Sequence, residues 1–177
     1  NIKQSNRQPI FGKMQDINAR EGDGIAVLLN AKDLDGDGIT YLIDNPPQGS
    51  SIKGNAFLWT PEHDTANKKE TKKFDLVFAA SDGKAEARQV LKVEIADKNR
   101  IPRIIDATKS ISAKVNEPVL MFVNAADDDG DELTYTWDFG LFEKYKATSH
   151  HQRIFRSKGL KAVKVIVSDG TDEIEHL

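Results

Sequence analysis

The stretches DLDGDGITY (33–41) and DDDGDELTY (127–135) place closely spaced aspartates and a glycine directly before an apolar run, twice in one chain. Aspartate and glycine accept the backbone angles of a tight turn, whereas threonine, tyrosine and isoleucine favour extended chain, so each stretch reads as a turn feeding a strand. Two further pairs flank them in the same order. NRQP (6–9) returns as NRIP (99–102), and SDG at 81–83 returns at 168–170. The copies are offset by roughly ninety residues, the length of one β-sandwich domain.

The apolar residues alternate along the runs between these markers. Ile25, Val27 and Leu29 share one face, as do Phe74, Leu76 and Phe78, and then Leu91, Val93 and Ile95. The second copy repeats the pattern with Leu133, Tyr135, Trp137 and Phe139, and with Val163, Val165 and Val167. A period of two marks strands with one buried face. The reading is all-β: two tandem Ig-like, cadherin-like antiparallel β-sandwiches of about seven strands each, at 1–98 and 99–177. The second copy runs on for fewer residues after its SDG, which predicts a short last strand. The opening NIKQSNRQP reads as the close of a preceding repeat, and the chain therefore as a segment of a longer protein.

The net charge of −3, with both signs mixed along the chain, offers no basic stripe for nucleic acid, and the longest apolar runs are far too short for a membrane-spanning helix. The chain has no cysteine, which excludes disulfides, thiolate nucleophiles and cysteine-based zinc sites. Of the four histidines, His150 and His151 are neighbours. Adjacent strand residues point to opposite faces, so they do not form a metal pair. No nucleophile elbow, phosphate loop or zincin pair occurs, and the chain reads as non-enzymatic.

Taken together, NRQP, EGDGIAVLLNAKDLDGDGITY, LWTP and FDLVFAASDG make the first copy resemble the cadherin-like Ig-fold repeats of microbial surface proteins. The second copy resembles a PKD domain through NEPVLMFVNAADDDGDELTYTWDFG and KAVKVIVSDG, although LFEKYKATSHH follows where that family carries a further Asp-Gly turn. The resemblance implies a non-catalytic spacer, stalk or adhesive module of an extracellular or cell-surface protein. It implies as partners the neighbouring repeats of the same protein, a surface protein or a second copy. A carbohydrate-binding or accessory role beside a secreted hydrolase is the alternative. It also implies calcium between successive domains. Carried over by position, the ligands are Glu21, Asp97, Asn99, Asp127, Asp129 and Asp169, with Asp33, Asp35 and Asp82 facing a preceding repeat.

Three readings of the aspartate turns stand side by side. The first is bound calcium. The second is a turn capped by its own side chains. The third is a turn in which Arg100 replaces the metal by gripping Asp127 or Asp129, with Arg7 doing the same for Asp33 or Asp35. An EF-hand, opened by Asp33, Asp35 and Asp37 with Asp44 at its twelfth position, lacks flanking helices and a closing Glu. Trp59 and Trp137 sit on alternating strands and are expected in the core rather than as sugar platforms. The lysine-rich NKKETKK (67–73) reads as a solvated loop, and Phe142 and Tyr145 as the first candidates for a partner contact.

Overall fold

The computed structural model describes residues 5–68 and 70–177, so the opening NIKQ and Lys69 of the lysine-rich loop lie outside it. Contacts divide the chain into two compact units, Asn1–Lys98 and Asn99–Leu177. Among the described residues there is no helix, and none is long and apolar enough to cross a membrane.

Unit 1 holds nine strands: β1 (Ile10–Phe11), β2 (Ile17–Arg20), β3 (Ile25–Leu28), β4 (Ala31–Lys32), β5 (Thr40–Asp44), β6 (Ser51–Lys53), β7 (Ala56–Trp59), β8 (Lys72–Ser81) and β9 (Glu86–Ala96). One sheet has the order β2-β9-β8-β5 and the other β3-β7-β6, with β1 and β4 forming a two-stranded corner. The count exceeds the expected seven because the first run is divided into β1 and β2 and the second into β3 and β4. One pairing departs from the antiparallel expectation: β2 runs parallel to β9, from Ile17 opposite Val93 to Arg20 opposite Ala96. The core is built from the alternating faces, with Leu29, Phe57, Phe78, Leu91, Val93 and Ile95 all buried. Phe57 and Phe78 meet edge to face at 5.1 Å, and Trp59 packs on Phe74 at 4.9 Å, arrangements that suit the ring quadrupole.

Unit 2 holds seven: β10 (Arg103–Ala107), β11 (Pro118–Ala126), β12 (Thr134–Asp138), β13 (Lys144–Ala147), β14 (His150–Ile154), β15 (Lys164–Ser168) and β16 (Glu173–His176). Its sheets are β10-β11-β14 and β13-β12-β15-β16. Val119, Met121 and Val123 face Trp137, Val165 and Val167 across the core. Trp59 and Trp137 are each buried, with their indole N–H groups donating at 3.1 Å to the carbonyls of Gln48 and Thr148. Both indoles are thus spent on packing, and neither offers a face to a sugar.

Candidate functional site

Each unit gathers its acidic turns at the end where the chain enters it, and the geometry there is the same twice. In unit 1, Asp33 Oδ1 accepts the backbone N–H groups of Asp35 (2.7 Å) and Asp37 (3.1 Å), folding the turn onto its own side chain. In unit 2, Asp127 Oδ1 accepts those of Asp129 (2.9 Å) and Asp131 (3.2 Å). The second turn is capped alike. Asp82 Oδ1 takes the N–H of Lys84 and of Ala85, both at 2.7 Å, and Asp169 Oδ1 takes those of Thr171 (2.6 Å) and Asp172 (2.7 Å).

The Asn-Arg dipeptide joins the two turns. Arg7 donates its backbone N–H to Asp35 Oδ2 at 2.7 Å and its Nε to Oδ1 at 2.8 Å, while Nη2 reaches the Leu34 carbonyl. Arg100 does the same with Asp129: backbone N–H to Oδ2 and Nε to Oδ1, each 2.6 Å, with Nη2 on the Asp128 carbonyl. The asparagine one residue earlier takes the other turn. Asn6 Nδ2 donates to Asp82 Oδ2 at 2.9 Å, and Asn99 Nδ2 donates to Asp169 (3.0 Å) and Asp172 (2.8 Å). Two adjacent residues, pointing opposite ways as extended residues must, thereby tie two turns distant in sequence. In each clasp the guanidinium forks between one carboxylate oxygen, through Nε, and a backbone carbonyl, through Nη2, a pattern that a lysine could not reproduce.

These contacts place the sequence-predicted residues. Asp33, Asp35 and Asp82 lie in unit 1, and Asn99, Asp127, Asp129 and Asp169 lie together at one end of unit 2. Of the two alternatives for each arginine, the structure selects Asp35 and Asp129. Glu21 is completely buried in unit 1, where it accepts the N–H of Ala66 at 2.7 Å and of Lys98 at 3.4 Å. Within its unit it is a pin between the loop after β7 and the end of β9. Asp97 follows β9 in the same unit.

Asp131 escaped the sequence reading. Its carboxylate lies with those of Asp127 and Asp129 so that one oxygen from each falls within 4.8 Å of the others. The buried Oδ2 of Asp127 accepts no hydrogen bond, and neither does its counterpart in Asp33. Clustered carboxylates with a buried oxygen left over fit a hard cation. The two units differ in one respect that bears on this fit. In unit 1 the ammonium of Lys84 sits 2.7 Å from Asp37 Oδ2, supplying positive charge internally. The corresponding residue of unit 2 is the neutral Thr171. The signal was readable: SDGK against SDGT.

Phe142 is fully exposed at the tip between β12 and β13. Tyr145 is half-exposed on β13, its ring against Phe139 at 5.9 Å and stacked on His151 at 5.7 Å.

No protein-family model matches the sequence, and no curated relative matches it. Solved structures resemble the chain at low identity. Extracellular domains 3–5 of Drosophila OTK align at 12% identity over 96% of this chain and 60% of that one, with a TM-score of 0.42. The endo-fucoidan hydrolase MfFcnA4, of glycoside hydrolase family 107, aligns at 14% over 95% of this chain but 27% of its own, TM-score 0.44. Titin domains Z1Z2, solved in complex with telethonin, align at 12% over 97% and 94%, TM-score 0.41. This chain therefore spans less than two thirds of each of the first two. Similarity at this level assigns no role to any residue.

The clasp has a pH signature. Arg7, through its side chain and then its backbone N–H, holds Asp35 below the ordinary 3.8, and the N–H of Ala85 followed by Asn6 does so for Asp82. A carboxylate lowered in the folded state contributes stability that is complete above the unfolded value and is lost as pH falls through the folded one. The urea midpoint should therefore drop as pH is lowered from about 5 to about 2. The drop should be shallower in Asn6→Ala/Arg7→Ala. An identical acid profile in that variant would separate these groups from the acid transition.

Proposed function

We propose that the chain is a non-catalytic tandem module of a longer extracellular or cell-surface protein, of cadherin-like and PKD-like build. In this reading it bears tension as a spacer and meets neighbouring repeats or a surface partner at its ends. The observation that carries this is the parallel pairing of β2 with β9. These are the strands by which the chain enters and leaves the main sheet of unit 1. Because they run the same way, a pull on the two ends slides one strand lengthwise past the other. The ladder bonds between them are then loaded together rather than one at a time. In unit 2 the first and last strands lie in different sheets, so no such shared ladder resists the pull. The non-catalytic reading is supported by the state of the carboxylates. Asp35 and Asp82 are covered by donors that keep them ionised, a poor state for a general acid or a base poised near neutral pH.

Calcium belongs to this reading at unit 2. Asp127, Asp129 and Asp131 would hold it, and the ion would supply there the positive charge that Lys84 supplies in unit 1. It would stiffen the turn by cross-linking the three carboxylates.

Two measurements test these points. In single-molecule pulling, unit 1 should rupture at a higher force than unit 2. Ala19→Pro, which deletes a backbone donor in the middle of β2, should lower the unit 1 force alone; equal forces in the two units would contradict the shear argument. In thermal unfolding against EDTA, calcium should raise the midpoint by an increment that grows with the logarithm of its concentration. Asp127→Asn should remove that response and Asp33→Asn should leave it. An unchanged midpoint up to millimolar calcium would leave the turns as purely hydrogen-bonded structures.

A further inference from the structure

The end of unit 2 opposite the clasp presents an unusual surface. Between Lys144 and Lys164 the chain carries seven lysines and arginines and no aspartate or glutamate. The strand register brings two apolar tips to this end. β12 stops at Asp138, opposite Lys164 where β15 begins, and β14 stops at Ile154, opposite Pro118 where β11 begins. The turn after β12 and the loop 155–163 therefore emerge together, and the rings of Phe139 and Phe155 touch across them with centroids 6.3 Å apart.

The turn is built against local preference. The Gly140 carbonyl accepts the Glu143 N–H at 2.9 Å, and Phe139 N–H donates to the Glu143 carbonyl at 2.9 Å, closing a two-residue loop. Its central residues, Leu141 (φ 45°) and Phe142 (φ 68°), are both left-handed. Asn-Gly or Asp-Gly fills this kind of loop because leucine and phenylalanine are strained there. The strain secures no packing, since Leu141 is 95% exposed and Phe142 102%. Leu160, at the tip of the neighbouring loop, is 101% exposed. A crevice of about 320 Å³ opens between loop 108–117 and loop 155–163, floored by Val119, Met121 and Phe155 and ringed by lysines that include Lys109, Lys158 and Lys161. No carboxylate lines it. Acidic groups of this unit pair with its lysines and arginines: Glu143 with Arg153, Asp138 with Lys144, Glu117 with Lys114 and Glu175 with Lys164.

We propose that this end of unit 2 docks on a lipid bilayer carrying anionic headgroups. Leu141, Phe142 and Leu160 enter the headgroup layer, and the lysines around the crevice stay at the level of the phosphates. Protruding apolar side chains backed by a ring of cations are what a charged interface selects, one term adding to the other. A soluble polyanion would use the lysines equally well but would leave three apolar tips in water. A bilayer accounts for both halves of the surface. This goes beyond the spacer reading and does not depend on it.

The test is vesicle co-sedimentation of the whole chain, with phosphatidylcholine alone and with added phosphatidylglycerol. The chain should pellet with the anionic vesicles, and raising the salt should release it. Lys158→Glu/Lys161→Glu should weaken binding by about tenfold or more. Leu141→Asn/Phe142→Gly supplies the residues this turn prefers, so it should fold with an equal or higher melting temperature and yet lose binding. Three results would overturn the proposal. The first is no retention on anionic vesicles. The second is full retention of Leu141→Asn/Phe142→Gly. The third is binding that soluble dextran sulfate abolishes in the wild type while the turn variant behaves identically, which would mark a polyanion site instead.

Discussion

The clasp made by one asparagine and one arginine organises each unit. Strands in a sandwich bury one face against the other sheet, but nothing in that burial fixes where the chain enters or how the turns at that end are held. Asn6-Arg7 and Asn99-Arg100 settle both with two residues. In extended chain their side chains diverge, so one hydrogen-bonds the turn before the last strand and the other the aspartate turn. The cost of enclosing a carboxylate is offset because each Asp of the set accepts two or more donors. Asp129 is the clearest case: its side chain is only 8% exposed, and both oxygens meet Arg100.

Against that shared frame, the two units diverge at single positions with clear physical consequences. Lysine in unit 1 stands where unit 2 has threonine after the SDG turn, and its ammonium ion-pairs Asp37. A first strand that reaches the main sheet, as β2 does, puts the two ends of unit 1 on one ladder, whereas β10 of unit 2 stays in the opposite sheet. The turn after TWDFG carries Leu-Phe where an Asp-Gly would rest, so the far end of unit 2 spends local stability on exposed apolar surface.

Much of this was legible in the chain. Period-two alternation gave the core nearly residue by residue: Leu76, Phe78, Leu91, Val93 and Ile95 are buried, as are Trp137, Val165 and Val167. Repetition of NR, DxD and SDG pointed to equivalent ends, and guanidinium geometry suggested the arginine partners, leaving only the choice between two aspartates each. Other features did not follow from the pattern. Glu21 reads as a ligand because it is an acid near a strand end, but its burial against the loop after β7 depends on tertiary packing. Parallel pairing of β2 is decided by which sheet a short strand joins, and alternation is silent on that. Asp131, the equivalent of Asp37, lies beyond the Asp-x-Asp pair that the cadherin-like pattern marks as ligands. The basic run from Lys144 to Lys164 was hidden by a balanced net charge, which averages over a surface that is not uniform.

The central claim is that the arginine and the aspartate act as one unit rather than as two independently stabilising residues. A double-mutant cycle on Arg100 and Asp129, read by urea unfolding of wild type, both single alanine variants and the double, measures that directly. The account predicts a coupling of about 2 kcal/mol, because each single change leaves a partly buried charge without its partner and the double change removes both. Strictly additive losses would contradict it and reduce the clasp to a coincidence of neighbouring turns.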